Sequence, residues 1–346
     1  MYIGSAIIYI AYGVLSVGTA YVAEYNRDKR LAILSFMICV LFWGVRYGIG
    51  FDYENYVKIY EDIKVNGGFL VEPGWYALNF LFSRIPNGEV LVMMSASAIT
   101  FAFMFLAFWR RRILWQGLFF SLVFQFQFMA ANQVRQAMGI AIFLFILKYI
   151  EERRWIRYVL WVVLSSVLVH VSAIILLLAI PLSFIKVNKY AGVTLLAIVY
   201  LGYLLGKFTS LGNTVLFLLP IPEKYSLYLL TDRVFSEEVG FSIVQLVNVA
   251  VVGVLLWNKR VIKNEIAVTL MFTGSLMYMM FIEYHLLLRM SFYFLYMNII
   301  VASLFVKKTA WRGQLLVTIM SFFFVMVCLQ SDNMHGVLPY SSIFSK

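Results

Sequence analysis

Residues 118–131 read LFFSLVFQFQFMAA: eleven apolar residues, three polar ones and no charge. Water is a poor solvent for such a run, and EIAVTLMFTGSLMYMMF at 265–281 repeats it with one acid, Glu265, at its edge. Of the 346 residues, 63% are apolar and 13% charged, and the mean hydropathy is +0.87. A soluble core of this size needs no such series of uninterrupted apolar segments. A transmembrane β-barrel would alternate apolar and polar positions over strands of about 10 residues, and these runs do not. The sequence therefore predicts an all-α polytopic membrane protein.

Other classes fall away on composition. The N-terminal stretch has neither a basic leader nor a small-residue cleavage site, so a retained first span is expected. Cys39 and Cys328 lie inside apolar runs as small hydrophobes, and no residues show metal-ligand spacing, so neither metal nor cofactor is expected. The net charge of +11 is distributed in short clusters between apolar runs. That pattern marks cytoplasmic loops and argues against a nucleic-acid partner.

The clusters fall at 24–30, 110–112, 148–157, 186–189, 258–264 and 307–312, and together they hold 18 of the 28 Lys and Arg residues. Placing all six inside gives about ten spans: 2–22, 31–45, 89–109, 113–131, 134–150, 190–207, 241–257, 265–283, 288–306 and 313–330. External loops follow at about 46–88 and 208–240, with an external tail at 331–346. Segment 158–185 joins two inside clusters yet is too short for two spans of about 20 residues. A re-entrant hairpin turning near His170 fits it; the alternative is one long tilted helix. No repeat or linker divides the chain, so a single transmembrane domain over 1–346 is expected.

The unusual polar residues lie on the external side. Arg135 and Arg289 each stand where a helix begins, and Arg46 opens the first external loop. A guanidinium fork matches phosphate oxygens, and helix N-termini add N–H donors, so these arginines suit a pyrophosphate. Asp52, in GIGFDY, and Glu72, before Pro73, are candidate general bases at a hydroxyl. His170 is a candidate base or phosphate donor. Asn132 and Gln136 flank Arg135. Tyr53 and Tyr56 in the first loop, and Tyr293 one helical turn beyond Arg289, offer aromatic faces with a hydrogen-bonding handle suited to sugar rings.

In order along the chain, RYGIGFDYENY (46–56), EPGWYALN (72–79), NQVRQAMGIAI (132–142), HVSAIILL (170–177) and LPY (338–340) resemble the signature segments of the EpsG-like branch of Wzy-type polysaccharide polymerases. The resemblance spans about 40–340, with little between 190 and 280. It implies a metal-independent glycosyltransferase similar in architecture to the GT-C class, in the bacterial inner membrane and active on the outer face. Such an enzyme moves a glycan from undecaprenyl pyrophosphate to the non-reducing sugar of another lipid-linked repeat unit. The implied partners are those lipid-linked donors and acceptors, membrane lipid and a chain-length regulator. A ligase that passes the glycan to another lipid acceptor and a lipid-linked glycan transporter are the rival readings.

Overall fold

The computed structural model describes residues 3–68, 71–206, 208, 242–282, 284–329 and 336–344. Most of the expected external segment 208–240, Glu283 and residues 331–335 lie outside them. The chain folds into two compact units, one of residues 1–174 with 306–346 and one of residues 175–305.

The first unit contains α1 (Ile3–Asn26), α2 (Lys29–Gly44), α3 (Tyr53–Asn66), α4 (Pro73–Phe82), α5 (Gly88–Arg111), α6 (Leu114–Val123), α7 (Phe126–Asn132), α8 (Val134–Glu151) and α9 (Trp155–Leu168). A 3-10 turn, Val171–Leu178, follows α9. The second unit is built of α10 (Ala179–Leu182), α11 (Lys189–Leu204), α12 (Ile243–Trp257), α13 (Lys259–Ile262), α14 (Glu265–Met280), α15 (His285–Leu295) and most of α16 (Met297–Lys308); α17 (Trp311–Leu329) returns to the first. Among the described residues four helices are long and apolar enough to cross a membrane, or five if α6 and α7 count as one bent span. The chain is a multi-pass helical membrane protein.

Helices of the first unit have two distinct ends. At about 1.5 Å per residue, α5 covers roughly 36 Å, enough for a hydrocarbon core of about 30 Å. At one end the basic clusters gather. Glu24 accepts from the N–H groups of Leu114 and Trp115 at 2.6 and 3.3 Å, and Arg111 Nη2 donates to Glu151 at 2.7 Å. Arg110 pairs with Glu152, and Lys307 donates to the Arg111 carbonyl at 2.7 Å. Four clusters that the charge pattern places on one side therefore do share an end. Gly44, Gly88, Val134 and Leu168 terminate the same helices at the opposite end.

Two expectations change here. The span expected at 113–131 is not straight: α6 and α7 meet at 63°, where Gln125 takes a left-handed conformation (φ 62°). Helix bonds from Phe124 to Phe120 (3.0 Å) and from Met129 to Gln125 (2.9 Å) re-satisfy the backbone around the break, as an apolar interior requires. Gln127 anchors the bent segment, accepting from Tyr12 at 2.6 Å and Trp43 at 2.9 Å and donating to Ser121 at 2.8 Å. The bend re-aims α7 so that Ala131 and Asn132 reach the far end of the unit.

The second change is that much of the expected loop 46–88 is structured. Tyr53, Tyr56, Tyr60 and Ile63 recur at helical spacing and are the buried residues of α3. Tyr56, Tyr60 and Trp75 form one core with Val92, Met93 and Ala96 of α5 and Val134 and Met138 of α8. Each aromatic fully withdrawn from water contributes on the order of 2–3 kcal/mol, which seats α3 and α4 firmly on the bundle. Segment 158–185 is not one long helix; α9 stops at Leu168 and the chain breaks at Val169 and His170.

Gly74 sets how closely α4 meets that break, since a Cβ there would lie 2.3 Å from the Leu168 carbonyl oxygen. Gly74→Ala must push α4 away from α9, at a cost of about 1–3 kcal/mol. A lower melting temperature of the detergent-solubilised protein is the expected result, and an unchanged one contradicts this packing.

Candidate functional site

The start of α4 and the end of α9 bring three distant residues together. Pro73 occupies the first helical position, leaving Glu72 at the N-cap with extended backbone (ψ 141°) and its side chain turned away from its own helix. Where α9 ends, the Val171 N–H lacks a helical partner and donates to Glu72 Oε1 at 3.2 Å. His170 Nδ1 lies 2.9 Å from the same oxygen, and Arg135, in the first turn of α8, donates through Nη1 to Oε2. One carboxylate thus holds a guanidinium, an imidazole and a backbone amide. Side-chain exposures are 13% for Glu72, 22% for Arg135 and 20% for His170, so the cluster is sheltered yet reachable.

The electrostatics separate their roles. Burial alone would raise the Glu72 carboxyl, but the His170 hydrogen bond and the Arg135 charge outweigh it and hold it at about 2, down from 4.5. Such a carboxylate is ionised throughout the working range and is a weak base. It is well suited to accept the Nδ1–H of His170, which leaves Nε2 as the nitrogen able to take a proton. The Arg135 guanidinium centre lies 6.0 Å from the Tyr56 ring, and Arg135 itself stands in the first turn of α8, near that helix's positive end.

Beside this cluster stands a wall made from the first loop, the α7–α8 junction and the C-terminal segment. Gly50 (φ 98°) runs so close to α7 that a Cβ would lie 2.7 Å from the Ala131 carbonyl. Two residues on, the Asp52 N–H donates to Asn132 Oδ1 at 2.9 Å, which fixes half-buried Asp52 at the α7 end, three residues before Arg135. The C-terminal segment braces the loop from behind. Gly50 N–H donates to Gly336 at 2.8 Å, Tyr47 N–H to Ser341 at 3.1 Å, and Ile343 N–H to Val45 at 3.0 Å. Tyr9 donates to the Val337 carbonyl at 2.6 Å and Tyr340 to the Phe42 carbonyl at 2.9 Å, with the Tyr340 ring stacked on Phe42.

Several expected site residues take other positions. Arg46 is 3% exposed and donates to the carbonyls of Trp43 and Ala131, the latter at 3.2 Å. Its guanidinium closes the α2 and α7 ends and so helps to build the wall. The expected sugar contacts are also interior: Tyr53, Tyr56, Asn132, Gln136 and Tyr293 are at most 6% exposed. The tyrosine rings are covered by packing in this structure. Arg289 and Tyr293 stand on α15 in the second unit. Sequence reasoning passed over Tyr9, Gln127 and Gly336. Only Gly336, beside the LPY segment, had a local signal.

The profile of the EpsG family matches residues 29–342. No curated protein and no solved structure matches the chain.

Proposed function

Because this chain belongs to the EpsG family, we propose that it is a polysaccharide repeat-unit polymerase, a glycosyltransferase of the bacterial inner membrane whose active face is periplasmic. In this reading about ten spans of GT-C-like architecture and a re-entrant hairpin turning near His170 carry the site. The donor is a glycan on undecaprenyl pyrophosphate, and the acceptor is the non-reducing sugar of a second lipid-linked repeat unit.

The observation that carries the reading is the Arg135–Glu72–His170 cluster at the end of the first unit opposite the basic loops. Arg135 binds the pyrophosphate and stabilises the charge that develops as the bond from the sugar anomeric carbon to phosphate oxygen breaks. His170 Nε2 takes the proton of the attacking acceptor hydroxyl. Glu72 positions both groups, and Asp52, on the neighbouring wall, orients the acceptor. The products are the extended glycan and lipid pyrophosphate.

The test is the product formed by purified protein given one lipid-linked repeat unit as sole substrate. A ladder of two or more repeats is expected. Failure to elongate, with glycan passed to a different added lipid acceptor or carried across a vesicle wall, overturns the polymerase reading in favour of a ligase or a transporter.

A further inference from the structure

The basic end of the first unit contains a groove of about 640 Å³ bounded by the C-terminal part of α1, the start of α6 and the α16–α17 turn. That volume lies within the range of small-molecule sites, roughly 300–1,000 Å³. Lys307 and Lys308 supply cations, Gln314 a neutral polar group, and Tyr21, Trp115 and Val317 the apolar wall. At this end Arg110 pairs with Glu152 and Arg111 with Glu151. Among the described residues no carboxylate lines the groove. Glu24, in the last turn of α1, accepts from Leu114 and Trp115 N–H and its charge also acts on Lys307, leaving Lys308 as the second cation of the groove. Lys307 donates once, to the Arg111 carbonyl at 2.7 Å, and an ammonium carries three donors.

We propose that this groove binds the phosphate headgroup of an anionic phospholipid, with the lysines on the phosphate and the acyl chains lying along α17. Charge complementarity selects an anion, and the surroundings select a lipid. Leu315, Ile319 and Phe322, at i, i+4 and i+7 on one face of α17, are 51%, 50% and 71% exposed. Tyr21 and Trp115 meet edge to face at 5.8 Å, an aromatic pair of the kind that settles at headgroup level. This site lies at the opposite end of the first unit from the Arg135 cluster and is independent of the reaction proposed there.

The test uses the full-length protein in lipid nanodiscs, with native mass spectrometry counting retained lipid. Wild type should retain phosphatidylglycerol over phosphatidylcholine by roughly tenfold or more, as expected for two lysines near a phosphate. Lys307→Gln/Lys308→Gln should bring the ratio close to one. Thr318→Trp, which fills the groove without changing charge, should do the same if the variant lacking lysines fails to fold. Lys29→Gln/Arg30→Gln removes two charges at the same end outside the groove and should leave the ratio intact.

Equal loss in that control, or a full ratio in Thr318→Trp, overturns the site in favour of diffuse surface charge. Thermal stabilisation by inorganic phosphate alone that matches phosphatidylglycerol overturns the lipid assignment. Capture of a poly-glutamate peptide through the two lysines, without any lipid preference, assigns the groove instead to an acidic protein segment.

Discussion

Glu72→Gln should reduce polymer formation by purified protein by about 10²–10⁴-fold, the range seen when a positioned acid–base group loses its partner. Glutamine keeps the size and one accepting oxygen but removes the charge that faces both Arg135 and His170. Arg135 is then left without a counter-charge, and the imidazole faces a neutral amide that can donate as well as accept, so its proton is no longer fixed on Nδ1. Stability should fall by less than activity. Removing one member of a fully buried pair costs about 3–5 kcal/mol, but these side chains keep some contact with water, so about 2 kcal/mol is expected. A variant that is present at normal level but makes no ladder is the expected result; wild-type ladders would show that Glu72 organises nothing used in transfer.

The same carboxylate sets a pH dependence of sign opposite to that of a buried acid. Its folded value of about 2 lies below its ordinary 4.5, so its ionised form favours the folded state. That contribution is complete above about pH 4.5 and is lost as pH falls through 2. Thermal melts of wild type should decline over this acid window more steeply than those of Glu72→Gln. Parallel curves contradict the pairing.

His170→Gln is expected to lower kcat by roughly 10²–10³-fold with little change in KM for the lipid-linked substrate, because a general base acts on the acceptor proton and not on donor binding. A rise in KM with kcat unchanged would instead make His170 a donor to phosphate.

Much of this was legible in the sequence, and the remainder was hidden for identifiable reasons. The apolar runs and basic clusters gave the helical membrane class and the grouping of 24–30, 110–112, 148–157 and 307–312, because both follow from local composition. The kink within LFFSLVFQFQFMAA was not legible. Hydropathy averages over Gln125 and Gln127, whereas the backbone turns at the first and the second holds the turn through Tyr12 and Trp43, far away in sequence. The helix within the first external loop was hidden for a related reason. The spacing of Tyr53, Tyr56 and Tyr60 suits an amphipathic helix, but only its packing on α5 and α8 fixes which face is buried. Arg135, Glu72 and His170 were each singled out by residue type and position. That they meet is a consequence of topology: 63 residues separate Glu72 from Arg135 and 98 separate it from His170.

The central claim is that Arg135 holds the pyrophosphate of the donor. It is tested most directly by assaying wild type, Arg135→Lys and Arg135→Ala, at matched protein amount, on purified lipid-linked repeat units. Lysine keeps the charge but not the planar fork. The account predicts a full ladder from wild type, a ladder reduced by about tenfold or more from the lysine variant, and none from the alanine variant. A ladder from Arg135→Ala equal in rate and length to that of wild type would contradict it.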